Sequence, residues 1–526
     1  MMAEHRVEDR SPPSWPWLCR APLLIAAALI CLISGLNLGR LVLAQSPRDP
    51  WESIEVMEAW RSLQGMPVYE LTADGHSTHM YGALVPWIQG EIFRKVGPNN
   101  ISGRLLSLTS ALLLVTLLAV TMRGKRSAWY LAVAWAMILG VNHRAGQYFA
   151  ENRPDMPALL FAAMALFLMG YGQEKRRGLL VILGSACLIV GFFLKQTVTI
   201  FAAVPMIALI LRGRRPTRPE ILRALIPLAA CGGTILGLKL LNPTVFHYMV
   251  EVPRSYSINW PRAASITWIF LIESPLFLIV FGDWIISGEG TLRGSPRLLW
   301  LLSALAVAIP FSAISVAKVG GWYNCWLPAL LAMMTFCVLR LPVFLRRLED
   351  PASPLRSRFL TGSFLAALLL MTTFPLVTKK LVEPAPAWDA SYGEVVAMAA
   401  RLPGTVICPE EPTIPLYAKG HVGRNVYGEE DARPVDGSGP TSMPEPVQDE
   451  LRGADYVIDV AATEGWHDPI RAEQLRDLGF EPAEHLPPVS ASYRFWRRKT
   501  IRSAEDPDRT AFRGASESNP DRTLPQ

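Results

Sequence analysis

Three carboxylates and four cations stand where an apolar sequence rarely holds them. Asp49, Glu52 and Asp155, with Arg144, Arg153, Lys195 and Lys318, all fall near the ends of long apolar runs. Ionisable groups at membrane depth are costly and tend to mark function. A carboxylate at a lipid–water boundary suits removal of a proton from a hydroxyl, and neighbouring cations suit stabilisation of an anionic phosphate leaving group. His76 and His79 have a metal-like separation but no third ligand of clear spacing, so they read as loop polarity. A divalent metal is left open.

The elements that must position these residues are membrane helices. The chain has 526 residues, 51% hydrophobic and 18% charged, with a mean hydropathy of +0.25, too apolar for a soluble protein of this size. Its net charge of +6 comes from short basic clusters between apolar runs rather than from one face, which argues against nucleic acid and for topology signals. By the positive-inside rule the clusters at 123–126, 175–177, 212–218, 293–297 and 340–358 are cytoplasmic. About eleven spans fit between them: 21–43, 103–122, 128–142, 156–171, 178–194, 197–211, 221–241, 265–286, 298–316, 323–340 and 358–378, each read against a hydrocarbon core of roughly 30 Å. The N-terminal tail, 1–20, is then cytoplasmic, the first helix a retained signal anchor, and the C-terminus outside. All the candidate residues fall on the outer side.

Two outer segments of the large first loop, 44–102, need separate treatment. Trp51, Ile54, Met57, Trp60 and Leu63 recur at three-residue steps beside Glu52, Glu55 and Glu58, which predicts a helix lying on the membrane surface. The stretch 81–93 is apolar, but it is short and holds Pro86, Gln89 and Glu91. Counting it as a span turns every basic cluster outward, so it belongs at the interface.

After the transmembrane part, 21–380, the apolar runs stop. In the region 384–499, strand-like stretches at 405–408, 456–460 and 492–496 alternate with helix-like ones at 392–402 and 469–478, which predicts a small extracytoplasmic α/β domain. It has no glycine-rich phosphate loop and no nucleophile elbow, hence no site of its own, and its expected part is to cover the outer opening or guide an acceptor. The tail 500–526 is polar and reads as disordered. The seven cysteines offer neither a disulfide framework nor zinc spacing.

Several short motifs, in order, resemble those of the GT-C glycosyltransferases. Asp49-Pro-Trp-Glu52 followed by 59–69 looks like the start of that superfamily, and 81–86, Arg104-Leu-Leu-Ser107, Asn152-Arg-Pro-Asp155, Lys195-Gln-Thr197 and 318–328 resemble later segments. The likeness is to the bacterial branch holding protein O-mannosyltransferase-like and aminoarabinose-transferase-like enzymes. It implies an all-α polytopic bundle followed by the small domain, a polyprenyl-phosphate sugar donor, a lipid, glycan or protein acceptor, and inverting transfer at the outer face of the cytoplasmic (cell inner) membrane. In site terms it implies Glu52, Asp49 and Asp155 as catalytic and Arg153, Arg144, Lys195, Lys318, Tyr81 and Asn324 as substrate-binding. Many relatives carry adjacent Asp-Glu in the first loop; here the two acids are three apart, so either is the base, with Glu52 preferred.

Blander roles stand beside these. Asp49 and Glu52 can serve a helix N-terminus, Asp155 can pair with Arg153 at a helix start, and the lysines can snorkel to headgroups. A transporter or flippase of lipid-linked saccharide is the rival class, but it calls for an inverted repeat and polar residues near mid-membrane, neither of which is visible in the sequence. A non-catalytic envelope scaffold is the third reading.

Overall fold

The structure, a computed structural model, describes residues 16–69, 80–120, 128–141, 148–287, 296–318, 321, 323–349, 354–382, 387–431, 443–460, 470–486, 489 and 492–499. His76, His79, Arg144, the basic run at 123–126, Arg293 and the tails 1–15 and 500–526 lie outside the described residues. The chain is a polytopic helical bundle followed by a small sheet-containing domain.

The bundle runs α1 (Pro16–Leu43), α2 (Pro50–Leu63), α3 (Leu84–Val96), α4 (Asn100–Val120), α5 (Ala128–Val141), α6 (Asp155–Glu174), α7 (Gly178–Leu194), α8 (Val204–Leu211) and α9 (Arg218–Leu241). It continues with α10 (Trp260–Ile272), α11 (Pro275–Ser287), α12 (Pro296–Ala317), α13 (Leu327–Glu349) and α14 (Leu355–Val382). The described residues of the predicted spans are helical, apart from Glu273 and Ser274 within 265–286. Among the described residues six helical segments are long and apolar enough to cross a membrane, within α1, α4, α6, α9, α12 and 323–341, and a bent pair makes a seventh if it is one span. That pair corrects the sequence reading. The stretch 265–286 is not one straight helix: α10 and α11 meet at 77° across Glu273 and Ser274, where the Ser274 amide closes a short 3.0 Å turn onto Leu271.

The short segment 84–96 is a 13-residue helix and is not among the membrane-length helices. Gly97 ends it at φ 75°, a conformation that favours glycine. It packs along α2. The linkers 175–177 and 212–218 and the start of α12 meet at one end of the bundle, where Arg297 reaches Glu174 at 3.5 Å and Arg212 reaches Glu220 at 3.0 Å. A capping box between Thr217 and Glu220 starts α9 there, and such a box satisfies two of the amides a helix leaves open. The opposite end holds α2, α3 and the loop 148–154.

The small domain comprises α15 (Ala387–Arg401), β1 (Val406–Ile407), α16 (Thr413–Lys419), α17 (Val426–Asp431), α18 (Glu445–Gly453), β2 (Tyr456–Val460), α19 (Ala472–Asp477), β3 (Phe480–Pro482) and β4 (Tyr493–Arg498). Its sheet has the order β1-β2-β4-β3, with β1 and β2 parallel and the other pairs antiparallel. The expected strands are present; β3 and the helices α16, α17 and α18 are additional.

This domain settles on α2, which overturns the surface-helix expectation. Val56, Ala59 and Phe93 form one apolar cluster with Leu416, the Ser53 hydroxyl donates to Glu411 at 2.5 Å, and the Trp51 and Tyr427 rings lie 6.4 Å apart. Glu52, Glu55 and Glu58 are buried as well. α2 is therefore sandwiched between bundle and domain, because its polar side meets buried arginines, a lysine and hydroxyls rather than water.

Candidate functional site

The first turn of α2 is built by its own sequence. Asp49 is the N-cap, its carboxylate accepting from the Glu52 amide at 3.1 Å, and Pro50 follows at a position that needs no amide hydrogen. The cap holds both acids at the helix start but gives them unlike surroundings.

Glu52 is fully buried and bidentately held by Arg104 of α4, at 3.0 Å from Nε and 2.6 Å from Nη2. The backbone amides of Asn152 and Arg48 donate to it at 2.6 and 2.7 Å. Each carboxylate oxygen thus accepts two hydrogen bonds. Burial alone pushes the carboxyl up, but the Arg104 charge and these donors outweigh it and leave Glu52 below the usual carboxylate range. Arg104 also donates to the backbone carbonyls of Ala44 and Ser46, the latter at 2.7 Å. The pair therefore ties the loop after α1, α2, α4 and the loop 148–154 together.

Asp49 keeps its other oxygen for Arg153, with which it forms an ion pair, and its side chain is 16% exposed. The Arg153 guanidinium lies 5.2 Å from the Trp51 ring centre, within cation–π range, and 3.4 Å from Glu151. Arg48 reaches Glu151 from its far side at 3.3 Å. Burial, then the Asp49 charge, push the Glu151 carboxyl up despite both arginines.

A second pair lies beside the first. Asp155 opens α6 and holds the Lys195 ammonium, which follows α7 and stands 4.8 Å from the Tyr81 ring centre. The other oxygen of Asp155, Oδ2, is buried and has no hydrogen-bond partner. Glu55 connects the pairs. Its carboxyl is raised by burial first, and it feels the charges of Arg153, Glu58, Asp155 and Lys195. Asp49–Arg153 and Asp155–Lys195 thus form one electrostatic cluster facing α2.

Close backbone approach sets the walls. The Gly82 amide bonds the Leu194 carbonyl at 3.2 Å, and a Cβ on Gly82 would overlap the Phe193 carbonyl. A Cβ on Gly103 would overlap the Asn152 amide, which accepts from Gln89 at 2.6 Å. Lys318 stands on the next wall: it donates to the Pro253 carbonyl and pairs in a bridge with Ile258. That wall meets Tyr81 through Tyr69, whose hydroxyl donates to the Tyr81 carbonyl and whose ring lies 6.0 Å from Tyr248. Asn324 is buried in the turn before α13.

The structure thus gathers Asp49, Glu52, Asp155, Arg153, Lys195 and Tyr81, and sets Lys318 and Asn324 on adjoining elements. Asp155 pairs with Lys195 and not with Arg153, and Lys195 is 5% exposed, so it does not snorkel. Sequence reading assigned no role to Arg104, though an arginine just inside an apolar run was a signal. Glu55 and Glu411 were missed as well. Among the described residues no group of three or more His, Cys, Asp or Glu side chains is placed to hold a metal ion.

No protein-family model matches the chain, and no curated protein matches it in sequence. Among solved structures it is similar to ArnT from Cupriavidus metallidurans bound to undecaprenyl phosphate, with a TM-score of 0.56 and 12% identity over 92% of this chain and 99% of that one. The chain therefore shares the fold of that structure over nearly its whole length.

Proposed function

We propose that this protein is a glycosyltransferase of the cell inner membrane that moves a sugar, with inversion, from a polyprenyl-phosphate donor to an acceptor hydroxyl at the extracytoplasmic face. The observation that carries the reading is the double ion pair, Asp49–Arg153 beside Asp155–Lys195, in a fold whose solved neighbour holds undecaprenyl phosphate. Sidedness follows from the basic linkers at the other end, read by the positive-inside rule.

Asp49 is the better base of the two acids at the start of α2, Asp49 and Glu52. All four lone-pair directions of Glu52 are engaged, and removing Arg104 from it leaves a buried charge, so Glu52 acts as the frame. Asp49 is the more accessible acid and shares its outer oxygen with a single arginine. In the proposed step Asp49 takes the acceptor hydroxyl proton as that oxygen bonds the anomeric carbon from the side opposite the phosphate. The carbon–oxygen bond to the phosphate breaks and its electron pair leaves with the polyprenyl phosphate. Arg153 and Lys195 stabilise the developing charge, with Lys318 and Arg144 as further phosphate contacts, and Tyr81 and Asn324 shape the walls. The unpartnered oxygen of Asp155 is available to a sugar hydroxyl. The small domain, docked on the helix that carries Asp49, closes the site and guides the acceptor.

The test is transfer of labelled sugar in membranes carrying Asp49→Asn or Glu52→Gln chains, with folded protein quantified by size-exclusion chromatography. Asp49→Asn should abolish transfer in a folded chain, whereas Glu52→Gln should lower the amount of folded protein. Full activity in Asp49→Asn would remove the proposed base. The transporter reading has one feature in its favour, the broken pair α10 and α11. It predicts movement of the lipid-linked saccharide across the bilayer without cleavage, which the same label reports.

A further inference from the structure

The end of the bundle away from the ion pairs holds a cleft that sugar transfer leaves unused. Between α4, α6, α8, α12 and α13 lies a largely apolar cavity of about 350 Å3, walled by Leu117, Leu166, Phe167, Ala208, Trp300 and Ala304. It runs on into a polar vestibule of about 390 Å3, with which it shares Gln173, Glu174, Arg212 and Pro296. The profile from apolar depth to polar mouth is that of a lipid with one chain inside and a headgroup at the rim.

The charge at the mouth decides which lipid. Four arginines, Arg176, Arg212, Arg214 and Arg297, face two carboxylates, Glu174 and Glu220. Both acids are already engaged, Glu220 by Arg212 and Arg214 at 3.0 and 2.5 Å and Glu174 by Arg297 at 3.5 Å. The excess is cationic. Deeper in, Gln173 Nε2 and Trp300 Nε1 are buried with no hydrogen-bond partner. Gly170 keeps the space beside that indole N–H open, since a Cβ there would stand 3.1 Å from it. Buried donors without acceptors are costly, so the complement of this cleft is acceptor-rich at its polar end and aliphatic elsewhere.

We infer that the cleft binds one anionic phospholipid, its phosphate at the Arg212 and Arg297 rim, its ester oxygens accepting from Gln173 and Trp300, and an acyl chain among α4, α6 and α12. The site faces the leaflet that the positive-inside rule makes cytoplasmic, where anionic headgroups favour juxtamembrane arginines. The inference rests on the membrane fold and is independent of sugar transfer.

Native mass spectrometry of the full chain in detergent, titrated with phosphatidylglycerol and with phosphatidylcholine of the same acyl chains, tests it. One phosphatidylglycerol should bind per chain, with phosphatidylcholine about tenfold weaker, as one to two headgroup–arginine contacts imply. Arg297→Gln should narrow that difference, and Ala304→Trp, which fills the cleft, should lower retention of both lipids. Equal binding of the two lipids by the unaltered chain, or undiminished retention by Ala304→Trp, would overturn the site. Should Ala304→Trp fail to fold, the unaltered chain can be crosslinked with phosphatidylglycerol carrying a photoreactive acyl tail. Adducts on α4, α6 or α12 support the cleft, and adducts confined to other helices refute it. A chain that binds phosphatidylglycerol yet transfers no sugar leaves this inference standing and removes the transferase.

Discussion

The two ends of the bundle both carry ion pairs, and they treat them in opposite ways. At the α2 end Arg104 and Glu52 are wholly buried, and Lys195 with Asp155 nearly so. At the other end Lys175 beside Glu174 is 45% exposed, and Arg214 beside Glu220 is 51% exposed. Sequence composition alone makes these clusters look alike. Burying a pair costs desolvation that attraction repays only when the geometry is good and the remaining hydrogen bonds are made. Glu52 meets that condition with four donors. Asp155 does not, because one of its oxygens has no partner, which accords with the contact to a sugar hydroxyl proposed for it. The pairs of the other end have an arginine or lysine partly in solvent and need no such account.

The largest break in this comparison comes from Arg104. Arg104→Ala strands the buried Glu52 carboxylate, and loss of one partner of such a pair costs about 3–5 kcal/mol. Folded protein in membranes should fall sharply, and chromatography in mild detergent reads the loss. An Arg104→Met, Glu52→Leu double variant removes both charges and should recover part of it. Failure of the single variant to lose folded protein would mean that the cage is not what holds α2.

Lys195 comes next. If the second pair serves the leaving phosphate, Lys195→Ala should lower transfer about a hundredfold or more, the scale of a removed charge-stabilising donor. Its thermal unfolding should move less than that of Arg104→Ala, and Asp155→Asn should share the phenotype. A Lys195→Ala chain with full transfer and reduced stability would make the pair structural.

Much of the architecture was legible because apolar run length is a direct consequence of bilayer thickness: the six membrane-length helices among the described residues all lie on apolar runs read from the sequence. The sandwiching of α2 was not legible. A helix with glutamates along one side reads the same whether that side meets water or buried arginines, and the partners come from Arg104, Arg153 and Lys195, far away in sequence. The pairing of Asp155 with Lys195 across 40 residues is of the same kind. Arg104 was legible and was overlooked, having been read only as part of a motif. The bend at Glu273 and Ser274 was signalled by Pro275, which opens α11 and cannot donate to the turn before it, but run length alone passes over that signal.

The contact between small domain and bundle also holds a buried acid, Glu411, bonded to Ser53 of α2, and pH probes it. Burial, with the nearby Glu52 charge, pushes Glu411 up to about 8 against the hydroxyls of Ser53 and Thr413 that bond it. An acid whose folded value is raised gives stability that is complete below its unfolded value and is lost as pH rises through the folded one. Thermal stability should therefore decline between about pH 5 and about pH 8, by a few degrees in Tm, and Glu411→Gln should flatten that part of the profile. A profile identical in Glu411→Gln would place the pH response in other groups, Glu151 first among them.

Lys175→Ala should show the least of all, and for that reason it sharpens the contrast. Its ammonium stands 3.6 Å from Glu174 with both side chains partly in solvent, and exposed pairs of this kind contribute about 0–1 kcal/mol. Unfolding temperature and sugar transfer should both stay within error of the unaltered chain. The residue also tests the proposed sidedness: with its linker on the cytoplasmic side, a cysteine substituted there should resist a membrane-impermeant thiol reagent added to intact cells. Labelling from outside would reverse the bundle and take the shared extracytoplasmic site of Asp49 and Asp155 with it.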